Sequence, residues 1–407
     1  MKITIRPSVP AGTVWAPPSK SMAHRMLLCA GCAQGDSTIE NIDLSQDILA
    51  TMDCLTALGA EVQYEYENRS VRVKGISMRD ISAPVTLQCR ECGSTLRFFI
   101  PLCLLSDQRM SLTGSETLLG RPQSVYEDLC AEQGLHFRRT KSCVKVAGPL
   151  RAGRFEFPGN ISSQFVSGLL FALPLLPGDS RICLIPPVES RPYIEMTRQA
   201  QALFGVVSEW EDACTLRIPG NQCYQAGNTR VEGDYSNAAF FEALNLSGGN
   251  VQVKGLNEDS LQGDRIYKMH LEQLDRGHAA IDLSDCPDLG PVLMTAAALR
   301  FGACFTGTER LKIKESDRGE AMRQELAKLG IPVEIRDNEI EVGVPEQIRD
   351  NEIEVGIPVH APEEILSGHN DHRIVMALAV LLTKTGGSID GAEAVAKSLP
   401  DFWDRMK

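Results

Sequence analysis

A polar turn followed by an apolar stretch recurs six times along the chain. The copies are PPSKSMAHRMLLCAG (17–31), RECGSTLRFFIPLCLL (90–105), PGNISSQFVSGLLFAL (158–173), EGDYSNAAFFEALNL (232–246), SDCPDLGPVLMTAAAL (284–299) and GHNDHRIVMALAVLL (368–382). Each sets Ser, Asn, Asp or Gly just before an apolar run, the signature of a capped helix. Ser19, Gly93, Ser162, Ser236, Asp288 and Asp371 mark equivalent positions, spaced 74, 69, 74, 52 and 83 residues apart. A second marker runs beside the first: amphipathic stretches stop at Gly59, Gly134, Gly205, Gly277 and Gly330. Four of these stops lead into alternating segments such as AEVQYEYENRSVRVKG and LHFRRTKSCVKVAG, which read as strands. Each unit is therefore predicted as strand, polar turn, apolar helix, strand, amphipathic helix, strand, strand. A sustained period of roughly 70 residues identifies a repeat architecture more specifically than any single match.

The sixth unit lacks its last strands, and the opening strand MKITIRP has no unit of its own. The N-terminal strand is expected to complete the C-terminal half. That gives an α/β (α+β) chain of two similar domains, 14–229 and 1–13 with 230–407, between which the chain crosses twice. One oddity stands out: IRDNEIEVG occurs at 335–343 and again, identically, at 348–356. It reads as a duplicated hairpin arm, of which one copy pairs in a sheet and the other bulges out, away from any chemistry.

Charge narrows the function. With 41 Lys and Arg against 53 Asp and Glu, the net charge of −12 disfavours nucleic acid and anionic membrane as partners. The longest apolar runs, near 292–299 and 374–382, are too short to span a bilayer. No basic and apolar leader opens the chain, so a cytoplasmic protein is expected. The 13 cysteines include two C-x-x-C pairs, Cys29/Cys32 and Cys89/Cys92, but 56 residues lie between them. A zinc ribbon would place about 15–20 there, so reduced core thiols are expected and no metal.

Cations nevertheless collect in the polar turns. Lys20, Ser21 and Arg25 sit together, Arg121 opens an R-P helix start, and KIKESDR puts Lys314 and Arg318 four apart with Glu315 between. NDHR sets His372 and Arg373 beside Asn370 and Asp371, and Lys397 closes AVAK. Helix N-termini carry free N–H groups and favour anions, so such turns suit phosphate and carboxylate ligands despite the net negative charge.

These motifs, in order PSKSMAHR, ECGSTLRF, SSQF, SRPYIEMT, SDCPD, KIKESDR, NDHR and AKSLPDF, resemble the signature set of the 5-enolpyruvylshikimate-3-phosphate synthase family. The resemblance runs from Met1 to about Phe402. It implies two domains of three βαβαββ units each, an inside-out α/β barrel arrangement. It also implies transfer of the enolpyruvyl group of phosphoenolpyruvate to the 5-hydroxyl of shikimate 3-phosphate, with release of phosphate and without metal or organic cofactor. The implied partners are small anionic substrates, and the implied state is a monomer. Carried over by position, Lys20, Gly93, Arg121, Gln164, Arg318, Arg373 and Lys397 would hold phosphoenolpyruvate. Ser21, Arg25, Ser162, Ser163, Gln164, Ser190, Asp288 and Lys314 would hold shikimate 3-phosphate, with Tyr193 a further contact. Asp288 would take the proton of the 5-hydroxyl. Glu315 would serve as acid and base at the methylene carbon, and Lys20 would assist at the phosphate. His372 would orient its neighbours.

The sequence departs from the family pattern in places. Glu91-Cys92-Gly93-Ser94 stands where many members have Asn-Ala-Gly-Thr, and Arg310 stands at a common Asn position. The family binds glyphosate in place of phosphoenolpyruvate; Gly93 keeps room there, while Glu91 and Phe98 depart from the common pattern. The related transferase acting on UDP-N-acetylglucosamine uses a loop cysteine, and the loop 106–123 has none. A non-catalytic anion binder on this scaffold would be expected to lose Asp288, Glu315 or Lys20, and all three are present.

Overall fold

A computed structural model describes residues 1–343 and 362–406. The repeat shows itself in the sheets. In the third copy, Arg154–Pro158 pairs in parallel with Ser180–Ile185, which pairs antiparallel with Thr215–Ile218 and then Glu209–Trp210. The second copy repeats this order with Thr86–Gln88, Met110–Thr113, Cys143–Ala147 and His136–Arg139. The fifth does so with Ala279–Asp282, Ala303–Thr306, Glu339–Val342 and Val333–Arg336. Parallel neighbours need a crossover, and the apolar helix of each copy supplies it. The antiparallel pair needs only a tight turn.

The remaining copies borrow strands from distant sequence. The first takes Asn228–Arg230 as the parallel partner of Gly35–Glu40. The sixth pairs Leu366–Ser367 with Gly387–Asp390 and is completed by Ile3–Ile5, antiparallel to the latter. The fourth has only Ala11–Trp15 beside Asn250–Lys254. Its helix Tyr267–Arg276 ends at Gly277, whose φ of 162° is extended, and the chain passes directly into Ala279–Asp282. By contrast Gly134, Gly205 and Gly330 turn with φ between 68° and 76°, where glycine avoids a Cβ clash, and hairpins follow them.

The chain divides into two compact units. One is Pro18–Glu232; the other joins Met1–Pro17 to Gly233–Lys407. Each has its own hydrophobic core built on the apolar helices. The helix Gly290–Leu299 is buried at every position, and His372–Thr385 everywhere but Lys384. A helix apolar all round belongs inside a core, where each Leu or Phe side chain contributes about 1.5–3 kcal/mol by leaving water. Among the described residues no helix is long and apolar enough to cross a membrane.

The first IRDNEIEVG copy is more than one hairpin arm. It supplies the end of Val333–Arg336, a turn with Asn338 at φ 51°, and the returning strand Glu339–Val342. The expectation that the second copy, 348–356, bulges out falls outside the described residues. Cys29, Cys32, Cys89 and Cys92 are buried free thiols, and burial pushes Cys32 and Cys92 up to about 12.

Candidate active site

In the unit Pro18–Glu232, three helices of the repeat open with side-chain caps, and the first turns of the second and third meet. Ser19 caps Lys20–Cys32, Cys92 caps Gly93–Cys103 and Ser162 caps Ser163–Ala172. The contacts between these turns are polar. Gln164 Nε2 donates to Ser94 Oγ at 3.0 Å, and Arg97 Nη1 donates to Gln164 Oε1 at 2.7 Å. Arg97 also donates to the Pro122 carbonyl at 3.0 Å and lies 4.8 Å from the centre of the Phe165 ring. Free first-turn N–H groups and cations then face a common region, which favours an anion.

Lys20 and Arg25 are held differently. Lys20 Nζ lies 2.7 Å from Asp47 Oδ2. Arg25 is buried and donates to Thr197 Oγ1 at 2.8 Å, to the Ser21 carbonyl at 2.7 Å and to the Tyr193 carbonyl at 3.0 Å. None of these partners is a carboxylate, and burial lowers the Arg25 pKa to about 10. Its guanidinium lies 5.4 Å from the centre of the Phe98 ring, so Phe98 acts as a floor beneath Arg25. His24, buried beside Lys20 and Arg25, is pushed well below the usual histidine range, chiefly by desolvation. Gly93 leaves room for Arg121: a Cβ there would stand 2.8 Å from Arg121 Nη1, the mobile end of a flexible side chain. The Arg121 Nε is buried without a hydrogen-bond partner. Ser190, buried at φ 54°, precedes the helix Arg191–Leu203.

The other unit concentrates acids and bases. Asp288 Oδ1 accepts from Lys314 Nζ at 3.1 Å and Arg318 Nη1 at 2.8 Å, and Oδ2 from Arg373 Nη2 at 3.4 Å. Burial alone would raise the Asp288 pKa, but Lys314, Arg373 and Arg318 hold it well below the carboxylate range. Burial lowers Lys314, and Asp288 opposes that shift. Arg318 is nearly inaccessible and also binds Glu315 Oε2 at 2.7 Å and Asp371 Oδ2 at 2.8 Å. Burial would lower its pKa, yet Asp371, Glu315 and Asp288 together raise it. Asp371 also caps His372–Thr385, its Oδ1 accepting from the Arg373 N–H at 2.9 Å. Lys397 Nζ reaches the Asn370 carbonyl at 2.7 Å. Asp264, buried and bonded by Ser236 Oγ, is raised to about 6 by desolvation and by Asp288.

The structure thus brings Asp288, Lys314, Glu315, Arg318 and Arg373 into one network, with Lys397 beside its capped helix. Lys20, Ser21, Arg25, Gly93, Arg121, Ser162, Ser163, Gln164, Ser190 and Tyr193 belong to the other unit. Arg121 does not start a helix. It follows Glu116–Gly120 with φ −65° and ψ 147°, and the next helix begins at Ser124. Pro122 explains this, since the residue before proline is driven out of the helical region. The Tyr193 carbonyl accepts from Arg25, and its phenol interacts with the same guanidinium. His372 is buried, its Nδ1 3.8 Å from Asp371 Oδ1. Arg310 is buried and close enough to Lys314 to lower its pKa.

Sequence reasoning left Asp47, Arg97, Thr197 and Asp264 out of the site. Asp371 it named only as a marker, although a cap acid before an arginine was visible in NDHR.

Known proteins resemble this chain. A family model described as EPSP synthase (3-phosphoshikimate 1-carboxyvinyltransferase) matches residues 6–406. A 3-phosphoshikimate 1-carboxyvinyltransferase of Clostridium perfringens is 38% identical, covering 100% of this chain and 97% of its own length. That of Clostridium acetobutylicum is 36% identical, covering 100% and 96%. Among solved structures, an EPSP synthase from Acinetobacter baumannii superposes with a TM-score of 0.76 at 22% identity, covering 99% of this chain and 97% of that one. The enolpyruvyl transferase NikO from Streptomyces tendae does so at 0.75 and 14%, covering 100% and 96%. At such identities these two structures speak for the fold.

Proposed function

The chain belongs to the EPSP synthase family, and from that premise we propose how its residues share the work. The reaction transfers the enolpyruvyl group of phosphoenolpyruvate to the 5-hydroxyl of shikimate 3-phosphate and releases phosphate, a step of the shikimate pathway to aromatic amino acids. The observation that supports the residue assignment best is Asp288, a carboxylate held by Lys314, Arg318 and Arg373 at once.

In the free protein those three cations neutralise Asp288 and keep it a weak base. Anionic substrates that draw Lys314, Arg318 or Arg373 toward themselves remove this stabilisation of the carboxylate. Its proton affinity then rises toward what abstraction of the 5-hydroxyl proton needs. The hydroxyl oxygen attacks C2 of phosphoenolpyruvate while Glu315 gives a proton to C3. Glu315 then takes a C3 proton back as the C–O bond to phosphate breaks, and Lys20 steadies the departing phosphate. Arg318 orients the Glu315 carboxylate, which takes up a proton from solvent as phosphoenolpyruvate draws Arg318 away, and so has one to give to C3. Phosphoenolpyruvate is held by Lys20, Gly93, Arg121, Gln164, Arg318, Arg373 and Lys397. Shikimate 3-phosphate is held by Ser21, Arg25, Ser162, Ser163, Gln164, Ser190, Tyr193, Asp288 and Lys314. Arginines with neutral partners, such as Arg25, can turn donors to a phosphate without abandoning a carboxylate.

The protein acts as a cytoplasmic monomer with these two anions as its partners, in this reading. Coupled phosphate release from phosphoenolpyruvate and shikimate 3-phosphate tests the activity, and absence of release would overturn it. Replacing Asp288 by Asn with turnover unchanged would reject its role as base.

A further inference from the structure

Among the described residues neither C-x-x-C pair belongs as a pair to a group of three potential metal ligands, but Cys92 joins one with other partners. Its sulfur accepts from the Thr95 N–H at 3.4 Å and lies 3.8 Å from His24 Nε2. Asp47 completes a group in which one ligand atom from each of the three side chains lies within 4.8 Å of the others, and all three residues are buried. The far nitrogen of the imidazole is tied down: His24 Nδ1 bonds Thr51 Oγ1 at 2.8 Å, and Thr51 bonds Thr95 Oγ1 at 2.8 Å. With Nδ1–H on Thr51, the neutral ring turns the Nε2 lone pair toward the thiol. An anchored remote nitrogen is how metal-binding imidazoles are oriented and their tautomer fixed. A cation already sits on the acid, since Lys20 Nζ is 2.7 Å from Asp47 Oδ2.

We propose that His24 Nε2, Cys92 Sγ and the Asp47 carboxylate form a three-ligand site for a borderline divalent cation, zinc above all. One nitrogen, one sulfur and one oxygen donor suit zinc and disfavour magnesium and calcium, which require oxygen ligands. Three protein ligands leave the fourth tetrahedral position to water. Binding of the ion displaces the thiol proton to solvent and the Lys20 ammonium from Asp47; no redox step is involved. The thiolate and the carboxylate cancel the ion's charge, and Lys20 loses the Asp47 partner that positions it, so the loaded protein is a weaker transferase. That consequence rests on the role given to Lys20 above, whereas the binding itself does not.

The test uses the full chain, reduced and freed of metal by a chelator, and titrated with Co²⁺ as a spectroscopic stand-in for zinc. Saturation at one ion per chain is expected, with a thiolate-to-cobalt charge-transfer band that Zn²⁺ abolishes and excess Mg²⁺ does not. Cys92→Ser keeps an acceptor at the helix cap and is expected to lose the band. Asp47→Asn is expected to weaken binding at least about tenfold, a loss of about 1.4 kcal/mol. No saturable uptake, or an equal band in Cys92→Ser, would overturn the site. If Cys92→Ser does not fold, X-ray absorption of the zinc-loaded wild type decides. One sulfur at about 2.3 Å with nitrogen and oxygen neighbours supports the proposal, and two or more sulfurs, or none, refute it.

Discussion

Helix first turns gather in both units, and their caps differ in kind. In Pro18–Glu232 the caps Ser19, Cys92 and Ser162 are neutral. Arg25 there is held by two hydroxyls and two carbonyls. In the other unit the caps Asp234 and Asp371 are acids, and Lys314, Arg318 and Arg373 are paired with carboxylates. One repeat thus produces two electrostatic outcomes. The backbone sets where the turns meet. The acids that cap or face the turns set how strongly each cation is already engaged: Arg25 has none, Lys20 has Asp47, and Arg318 has three.

The contrast breaks first, if it breaks, at the buried arginines. Arg318→Met strands Asp288, Glu315 and Asp371 together, and removing one partner of such a buried pair costs about 3–5 kcal/mol. Arg25→Met removes hydrogen bonds to neutral groups and costs about 1–3 kcal/mol. Urea unfolding measures both, and equal losses would erase the distinction. Next in size, Asp288→Ala and Glu315→Ala each lower turnover by about 10² or more in the phosphate-release assay.

Asp264 and Asp288 sharpen the contrast within one unit, because their shifts are opposite. Asp264 is raised to about 6, so the folded chain binds the extra proton between its unfolded value of about 4 and 6. Stability from this group is full at the acid end of that window and is lost as pH rises through it, by about 3 kcal/mol. Asp288 is depressed, so its contribution is present above about pH 4 and is lost on further acidification. Asp264→Asn removes the first slope and leaves the second, which denaturant midpoints measured across pH check. The smallest effect is expected for Gly93→Ala. Its new methyl would stand 2.8 Å from Arg121 Nη1 and push that guanidinium aside, so KM for phosphoenolpyruvate should rise about tenfold with kcat less affected.

The repeat was legible because its marks are local. A cap residue, an apolar run and a glycine stop can each be read within a few positions. That the opening strand belongs to the C-terminal half was legible, since one strand was spare and the last unit was short; its pairing of Ile3–Ile5 with Gly387–Asp390 was not. The cations were legible because they sit in the turns. Their partners were not: Asp47 lies 27 residues from Lys20, and Gln164 lies 67 from Arg97, joined by helix packing rather than by spacing. Arg121 was misplaced because the short helix Glu116–Gly120 ends just before it, and Pro122 holds it extended. Asp264 gave no signal in a loop that carries no other chemistry.

The division between receiving anions and moving protons is tested most directly by phosphate release at saturating phosphoenolpyruvate and shikimate 3-phosphate, with Arg25→Gln measured beside Asp288→Asn. Lost binding is overcome by concentration, whereas lost transition-state stabilisation is not. Arg25→Gln is expected to recover most of the wild-type turnover, and Asp288→Asn to remain about 10²-fold below it. Recovery of Asp288→Asn at saturation, with Arg25→Gln still impaired, would contradict it.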